Sequence, residues 1–231
     1  MDAGLDDDAA SLPIGSTFAI VKTLGNPNIR AERLRDFEAG YRAQASKRIS
    51  LDVAAFSGRY RDLESLAAQT PYFASQNGVP YLVLPELFVN GAGAQTYGAE
   101  FSGNWNVTDR WRISPGYSYF HMDLVGNAAT VSSPPGVSPD HQFQVRSQLD
   151  LPHHLQWDNT IEYVDKLSVG NIPAYVRLDS RLGWRIGESV ELSLVGQNLL
   201  TPRHVEFGQG YYPLLNTLVE RSVFGKVTWR F

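Results

Sequence analysis

The sequence predicts an all-β fold, an antiparallel transmembrane β-barrel segment of about nine or ten strands. Two observations support this prediction: apolar and polar residues alternate along most of the chain after residue 34, and short connections alternate with long ones. Because a strand sends successive side chains to opposite faces, this alternation gives each strand one apolar and one polar face. The pattern therefore indicates strands with one face toward lipid and the other toward water.

The composition excludes several other classes of protein. The mean hydropathy is -0.24, and no apolar run reaches the roughly 18 residues of a transmembrane helix. A barrel tolerates neutral hydropathy because only alternate residues face lipid. The net charge of -4 argues against a nucleic-acid partner. The chain contains no cysteine, so disulfides and thiolate metal sites are excluded.

The C-terminal segment, residues 221–231, carries the clearest alternation. From Ser222 to Arg230 one parity is polar except for Phe224, and from Val223 to Phe231 the other parity is apolar except for Gly225 and ends on an aromatic residue. A strand of this kind is typical of the closing strand of an outer-membrane barrel, where aromatic residues gather at the lipid–water boundary. The predicted C-terminal barrel-assembly signal consists of Val223, Val227, Trp229 and Phe231.

The connections between predicted strands fall into two length classes. The short turns lie near residues 45–47, 108–109, 152–154 and 187–189. The long segments are Ala67–Pro80, Asp123–Pro139, Lys166–Pro173 and Leu200–Leu218. In transmembrane barrels the short turns are periplasmic and the long loops extracellular. Extracellular loops carry binding residues, so the candidate ligand contacts are the loop aromatics Tyr72, Phe73, Tyr81, Tyr211 and Tyr212.

The cost of burying charge in lipid predicts which face of each strand is luminal. Three arginines share one parity in residues 176–186, and an arginine on the lipid face costs about 2–4 kcal/mol at the midplane. We therefore expect the polar parity to line the lumen. The predicted lumen-facing residues are Gln142, Gln144, Arg146, Arg177, Asp179, Arg181 and Arg185.

The sequence predicts no catalytic residue, metal site or cofactor. His153 and His154 are adjacent in a short turn, where a solvated periplasmic turn explains them better than a metal site. Asp140 and His141 lie near Ser138, but the chain has no nucleophile-elbow motif to complete a triad. We therefore expect binding and confinement of a ligand, with no enzymatic activity.

Four motifs together resemble the TonB-dependent outer-membrane receptors. The first is GNPNIRAE at residues 25–32, followed by FEAGY at 37–41. QTYGAE at 95–100 is similar to a strand motif of that family. LVGQNLLTPRHVEF at 194–207 resembles the segment before its final strand, and VFGKVTWRF at 223–231 resembles its C-terminal signature. The matches extend from residue 25 to residue 231 and are specific in combination.

The resemblance implies that this chain is part of a larger barrel. The family's barrels have about 22 strands and a plugged lumen. Residues 34–231 are then expected to form the C-terminal part of the receptor barrel, and residues 1–33 a remnant of an extracellular loop. By this resemblance we expect the plug domain and the signal peptide to lie outside the residues of this chain. A sheet cut in this way has an unpaired edge toward lipid, so we expect that it does not close alone.

The resemblance also implies a function and a location. The expected location is the bacterial outer membrane, and the expected function is active import of a scarce nutrient, with a ferric siderophore as the favoured cargo. The expected partners are the TonB-ExbB-ExbD system, acting through the missing N-terminal parts, the barrel-assembly machinery, outer-membrane lipid, and an iron chelate or other small nutrient. Two alternatives stay open: a passive outer-membrane channel without a plug, and a soluble carbohydrate-binding β-sandwich that needs no detergent.

Overall fold

The computed structural model describes residues 11–14, 17–126, 135–207 and 217–231, and all its regular elements are strands. The strands are β1 (Ser11–Ile14), β2 (Thr17–Leu24), β3 (Arg33–Ser46), β4 (Ile49–Ala68), β5 (Tyr72–Gln76), β6 (Val79–Thr108), β7 (Trp111–Gly126), β8 (His141–Leu151), β9 (Leu155–Val164), β10 (Tyr175–Ile186), β11 (Val190–Gln197), β12 (Arg203–Val205), β13 (Leu218–Glu220) and β14 (Ser222–Trp229). Within these ranges, no helix has the length and apolar character needed to cross a membrane.

The chain divides into two compact units. Unit 1 comprises Met1–Arg35, Arg59–Gln95 and Asp123–Pro134. Unit 2 comprises Asp36–Gly58, Thr96–Met122 and Pro135–Phe231. The all-β prediction is confirmed in both.

Unit 2 is a run of neighbouring strands in the order β3-β4-β6-β7-β8-β9-β10-β11-β14. This run is nine strands within the described ranges, as predicted, and the pairs from β7 to β14 are antiparallel. The turns at 47–48, 109–110, 152–154 and 187–189 are as short as the sequence indicates. In the described part of the chain the run does not close on itself, so the structure is a partial barrel.

Unit 1 contains strands where the sequence indicates a long loop. The segment Ala67–Pro80 includes the end of β4, all of β5 and the start of β6. A tight turn joins β5 to β6, and its Asn77 and Gly78 have positive φ angles of 51° and 78°. Asn-Gly is the preferred pair for such hairpins. The buried apolar side chains of this unit are Ala19, Leu63, Val83, Ala92 and Ala94, and along β4 and β6 the buried residues alternate with more exposed ones.

Hydrogen bonds connect the GNPNIRAE segment of unit 1 to the neighbouring strands. The Asn90 side chain accepts a hydrogen bond from the Arg30 backbone N–H (2.7 Å) and donates to the Arg30 and Asp62 carbonyls (2.9 and 2.7 Å). Arg30 Nη2 donates to Asp62 Oδ1 at 2.7 Å. Asn26 Nδ2 donates to the Phe88 carbonyl at 2.9 Å. These bonds hold an irregular segment against β4 and β6.

Asn198 is a buried polar centre of unit 2, where β11 ends. Its side chain is fully buried and its φ of 53° is left-handed, a conformation that asparagine tolerates. Its backbone N–H donates to Asp179 Oδ1 (2.9 Å), and its Nδ2 donates to the Val219 carbonyl (3.0 Å). Its Oδ1 accepts from the Thr201 hydroxyl at 2.9 Å. Asn198 therefore ties the end of β11 to β10 and to β13.

Gly98 permits a close approach between the strands of unit 2. A Cβ placed there would overlap the Tyr119 carbonyl oxygen and the Phe56 ring. Phe56 packs over this position and contacts Phe120, with ring centroids 6.3 Å apart. The glycine of the QTYGAE motif therefore leaves room for an aromatic side chain on an otherwise polar face.

Substitution of Gly98 by alanine is expected to destabilise the protein by about 1–3 kcal/mol, because the new methyl group meets a backbone carbonyl that cannot move away freely. Denaturant unfolding of the protein in lipid vesicles measures the change. Gly116→Ala is the matched control, since its Cβ would meet nothing closer than 3.9 Å. Equal stability of the two variants would contradict the close packing described at Gly98.

Substitution of Asn198 by alanine is expected to cost about 2–4 kcal/mol, because it leaves the Val219 carbonyl and the Thr201 hydroxyl without their partner. The same unfolding experiment measures this cost. Asn198→Gly separates the hydrogen bonds from the backbone strain, since glycine adopts the positive φ freely. Asn171→Ala is the control for strain alone, because Asn171 has a φ of 52° but an exposed side chain. A cost at residue 198 no larger than at residue 171 would refute the central role of the Asn198 side chain.

Candidate functional site

The polar residues of β8, β9 and β10 form cross-strand rows on one face of unit 2. Gln144 lies opposite Glu162, which lies opposite Arg177. One step along the strands, Arg146, Thr160 and Asp179 form the next row. Directly opposed residues in an antiparallel pair share a face, so these two rows hold four of the seven predicted lumen-facing residues: Gln144, Arg146, Arg177 and Asp179. Gln142, Arg181 and Arg185 lie on the same face, because they are an even number of residues from these along β8 and β10.

Ion pairs neutralise the arginines near the middle of this polar face. Arg181 contacts Asp158 at 3.0 Å and also pairs with Glu191. Arg177 donates to both carboxylate oxygens of Asp179, at 3.0 and 2.8 Å. Arg185 lies on the same polar face but nearer the short turns, where it is opposite Glu191. The Arg177–Asp179 pair lies within β10, whereas Arg181 pairs across to β9 and β11, contacts that the register decides and the sequence alone could not show.

A pocket of about 500 Å³ lies on this polar face, and its charged lining is acidic. Arg42 Nε donates to one of its carboxylates, Asp52, at 2.6 Å. The remaining lining is mainly polar, with the rings of Phe101, Tyr117 and Phe143 at its border. Among the described residues, no group of three or more His, Cys, Asp or Glu side chains could hold a metal ion. The pocket's carboxylates are Glu38, Asp52, Glu100 and Glu162.

The opposite face of the same strands is apolar and exposed. Tyr117, Phe143, Tyr163 and Val176 form one cross-strand row near the long connections. Near the short turns the corresponding row is Leu149, Trp157, Leu182 and Leu194. Trp157 is 46% exposed and Leu182 is 44% exposed. So large an apolar surface in contact with solvent would be unfavourable in water and suits lipid.

Two tryptophans of the apolar face donate hydrogen bonds to serines of neighbouring strands on that face. Trp111 Nε1 donates to Ser147 Oγ at 3.0 Å, and Trp157 Nε1 donates to Ser180 Oγ at 3.1 Å. Hydrocarbon offers no hydrogen bonds, so polar groups that face it must be satisfied by the protein. These contacts are therefore consistent with a face in contact with lipid.

The closing strand β14 continues the two-faced pattern to the end of the chain. Val227 lies opposite Leu192, and Trp229 lies opposite Val190. The predicted assembly-signal residues are all strongly exposed, at 62% for Val223, 70% for Val227 and Trp229, and at the chain end for Phe231. The structure thus places Val223, Val227 and Trp229 on the accessible strand β14 and Phe231 two residues after its end; their role as an assembly signal stays a prediction.

A second polar cluster surrounds His204, which belongs to the LVGQNLLTPRHVEF motif. The His204 ring stacks on Tyr175 with centroids 4.3 Å apart, and its side chain is only 7% exposed. His204 Nε2 lies 2.8 Å from Glu206 Oε1, and Glu206 lies 3.8 Å from Arg177 Nη1. The LVGQNLLTPRHVEF motif therefore contributes a structural network that joins the luminal candidate Arg177 to the β12–β13 hairpin.

The candidate ligand contacts of unit 1 do not form one site. Tyr72 lies opposite Val83, and Tyr81 lies two residues before Val83 on the same face of β6. Phe73 lies opposite Leu82 and therefore points to the other face. Phe18, which the sequence did not single out, stacks on Tyr81 with centroids 5.7 Å apart. Tyr211 and Tyr212 lie outside the described residues. Only the pairing of β2 with β6 could reveal Phe18, because these strands are far apart in the sequence.

Comparison with known proteins identifies the family. Residues 5–199 match the family model described as TonB dependent receptor-like, beta-barrel. A curated relative, the probable TonB-dependent siderophore receptor PiuA of Acinetobacter baumannii, is 26% identical over 140 residues, which cover 52% of this chain and 18% of that protein.

Solved structures share the fold. The ferric-catecholate import receptor Fiu of E. coli K12 matches with a TM-score of 0.65 and 18% identity, over 89% of this chain and 29% of Fiu. The copper transporter OprC matches with a TM-score of 0.64 and 12% identity, over 89% of this chain and 33% of OprC. The chain thus spans about a third or less of the length of each of these proteins.

These matches confirm the resemblance read from the four motifs and reject the β-sandwich alternative. Members of the family are outer-membrane transporters and not enzymes, so the predicted location is confirmed and the expectation of no enzymatic activity agrees with the family. Because the family model covers most of the chain, the chain belongs to the TonB-dependent receptor-like β-barrel family.

Proposed function

We propose that this chain forms part of the wall of an outer-membrane receptor that actively imports a scarce nutrient, with a ferric siderophore as the favoured cargo. The polar face of unit 2 lines a water-filled lumen, and the opposite face contacts lipid. The chain contributes wall and binding surface, and the energy comes from the TonB-ExbB-ExbD system acting on parts of the receptor outside this chain.

The separation of charge and apolar surface is the observation that carries this proposal. Arg177 and Arg181 have their carboxylate partners on one face, while the exposed Trp157 and Leu182 lie on the other. Turning the sheet over would put both arginines toward lipid, at about 2–4 kcal/mol for each one near the midplane. The favoured orientation therefore has the polar face toward the lumen.

The choice of cargo rests on sequence similarity. The curated relative is described as a siderophore receptor, and this supports an iron chelate ahead of other nutrients. The ligand contacts proposed for this chain are Tyr72, Phe73 and Tyr81, together with Tyr211 and Tyr212 in the last long connection. A passive channel is the remaining alternative, and it differs in needing no energy from TonB.

The orientation of the wall predicts the reactivity of single cysteines, which can be introduced directly because the chain has none. Cysteines at Gln144, Thr160 and Asp179 are expected to react with a water-soluble maleimide in intact outer membranes. Cysteines at Val145, Ile161 and Leu178 are their matched neighbours on the other face, and they should react only with a lipid-soluble maleimide. Mass spectrometry of the labelled protein measures both. If instead the second set reacted with the water-soluble maleimide and the first set only with the lipid-soluble one, the proposed orientation of the two faces would be rejected.

Deletion of the gene is expected to lower uptake of at least one ferric siderophore to the level of a strain without TonB. Growth and radioactive iron uptake on a panel of chelates measure this loss, and the restored gene is the control. Unchanged uptake of every chelate would reject the iron proposal. Uptake that depends on the gene but not on TonB would support the passive channel instead.

A further inference from the structure

We propose that Arg35, Arg59 and Arg61 of unit 1 form a site for the phosphate group of a lipid headgroup in the outer leaflet of the membrane. Arg35 lies on β3, and Arg59 and Arg61 lie on the neighbouring strand β4. The site is separate from the proposed cargo contacts, and it depends only on the outer-membrane location of the family.

The pairing of β3 with β4 brings arginines of the two strands together. The strands are neighbours in the sheet and are joined by the tight turn at 47–48. A Cβ built on Gly40 would lie 4.0 Å from the Ala54 Cβ, so these two residues are opposed. Arg35 and Arg59 each follow five residues further from the turn. The same register therefore places Arg35 opposite Arg59, with Arg61 next on the same side of β4.

The alternation along these strands places the arginines on the side that faces lipid. Glu38 and Asp52 line the pocket on the polar face. Residues of the opposite parity, such as Phe37, which is 76% exposed, therefore belong to the apolar face. Arg35 and Arg59 have this second parity on β3 and β4. Their side chains thus extend outward from the wall and away from the lumen.

The distance of the arginines from the short turn puts them at the level of the lipid headgroups. A strand of a transmembrane barrel crosses the hydrocarbon in about 9–11 residues. Arg35 and Arg59 are each twelve residues from Lys47 in the turn, slightly more than one crossing. The penalty for an arginine on the lipid face becomes small near the interface. Because the short turns are periplasmic, this level belongs to the outer leaflet.

No acidic side chain neutralises these three arginines in the described part of the chain. All acidic residues of β3 and β4 have the opposite parity: Asp36, Glu38, Asp52, Asp62 and Glu64. Within the described ranges the guanidinium groups of Arg35, Arg59 and Arg61 make no hydrogen bond or ion pair. By contrast, the nearby Arg33 contacts Asp62 at 3.5 Å. Like charges directly opposite each other destabilise an antiparallel pair, and an anion bound between them would remove this repulsion.

A lipid phosphate suits this surface better than a free anion does. The guanidinium group presents a planar set of donors that binds phosphate oxygens in pairs. Toward the turn, the same parity of β3 carries the exposed rings of Phe37 and Tyr41, which can contact acyl chains. A free phosphate ion would use the arginines alone and leave this apolar surface without a partner. The proposed occupant is therefore a phosphorylated lipid.

The test uses the protein produced from its natural gene and purified from membranes in a non-ionic detergent. Native mass spectrometry measures its titration with bisphosphorylated lipid A and with chemically dephosphorylated lipid A. The bisphosphorylated form is expected to bind several-fold more tightly, because only this form offers phosphate oxygens to the arginines. Inorganic phosphate at the same concentration should not displace it, because the free ion lacks the acyl chains.

Single substitutions identify the residues that bind the phosphate. Arg35→Gln, Arg59→Gln and Arg61→Gln should each weaken binding of bisphosphorylated lipid A by about 5-fold, the effect of one basic residue at an anionic membrane surface. Binding of the dephosphorylated form should not change. Arg110→Gln is the matched control, since Arg110 is exposed but lies in the short turn after β6. Each variant is first checked for the heat-dependent gel mobility of a folded barrel, and if one does not fold, the other two carry the test.

A charge reversal tests the facing of the two arginines independently of lipid. Arg59→Glu places a carboxylate opposite Arg35 and so replaces a repulsion by an attraction. In detergent without phosphorylated lipid, this variant is expected to melt at a higher temperature than the unsubstituted protein. It should also bind bisphosphorylated lipid A more weakly than Arg59→Gln does. A lower melting temperature would contradict the proposed register of Arg35 and Arg59.

Three further results would overturn the inference. The first is equal binding of lipid A and its dephosphorylated form, and the second is displacement of lipid A by inorganic phosphate at equal concentration. The third is a loss of binding in Arg110→Gln as large as in Arg35→Gln, which would indicate a general charge effect. Iron uptake does not enter these measurements, so their outcome is independent of the proposed cargo.

Discussion

The strict alternation of side chains along β8 to β11 is the constraint on which the rest of unit 2 depends. The register of β9 and β10 places Glu162 opposite Arg177 and Asp158 opposite Arg181. The arginines, which cannot face lipid, therefore lie beside carboxylates on the polar face. The same register leaves Trp157, Leu182 and Trp184 exposed on the other side. A shift of one residue in any strand would exchange the two faces and expose the arginines to hydrocarbon.

Close contacts and buried polar groups then hold the irregular segments to this regular sheet. Asn198 satisfies three separate groups where β11 ends, and Asn90 does the same for the segment around Arg30. Because Gly98 has no side chain, the Phe56 ring can pack against the sheet at this position. Three of the four family motifs therefore have a structural role in the fold: GNPNIRAE through Asn26, QTYGAE through Gly98 and LVGQNLLTPRHVEF through Asn198.

The two units suit different parts of the proposed transport function. Unit 2 has a polar face with paired charges and an acidic pocket, together with an apolar face for lipid. Unit 1 has its own small buried core, and in it the Phe18 ring stacks on Tyr81. The wall of a receptor must resist exchange of its faces, and the paired charges of unit 2 suit that requirement.

The sequence by itself determined the strand class, the polar and apolar faces of β8 to β11 and β14, and the positions of the short turns, because alternation and turn residues are local signals. It also indicated the family through the spacing of four motifs. Only the tertiary structure decided that Ala67–Pro80 holds a hairpin, that Phe73 and Tyr72 point to opposite faces, and that Phe18 stacks on Tyr81. The physical reason is that contacts between residues distant in sequence depend on which strands pair, and local alternation does not report that pairing.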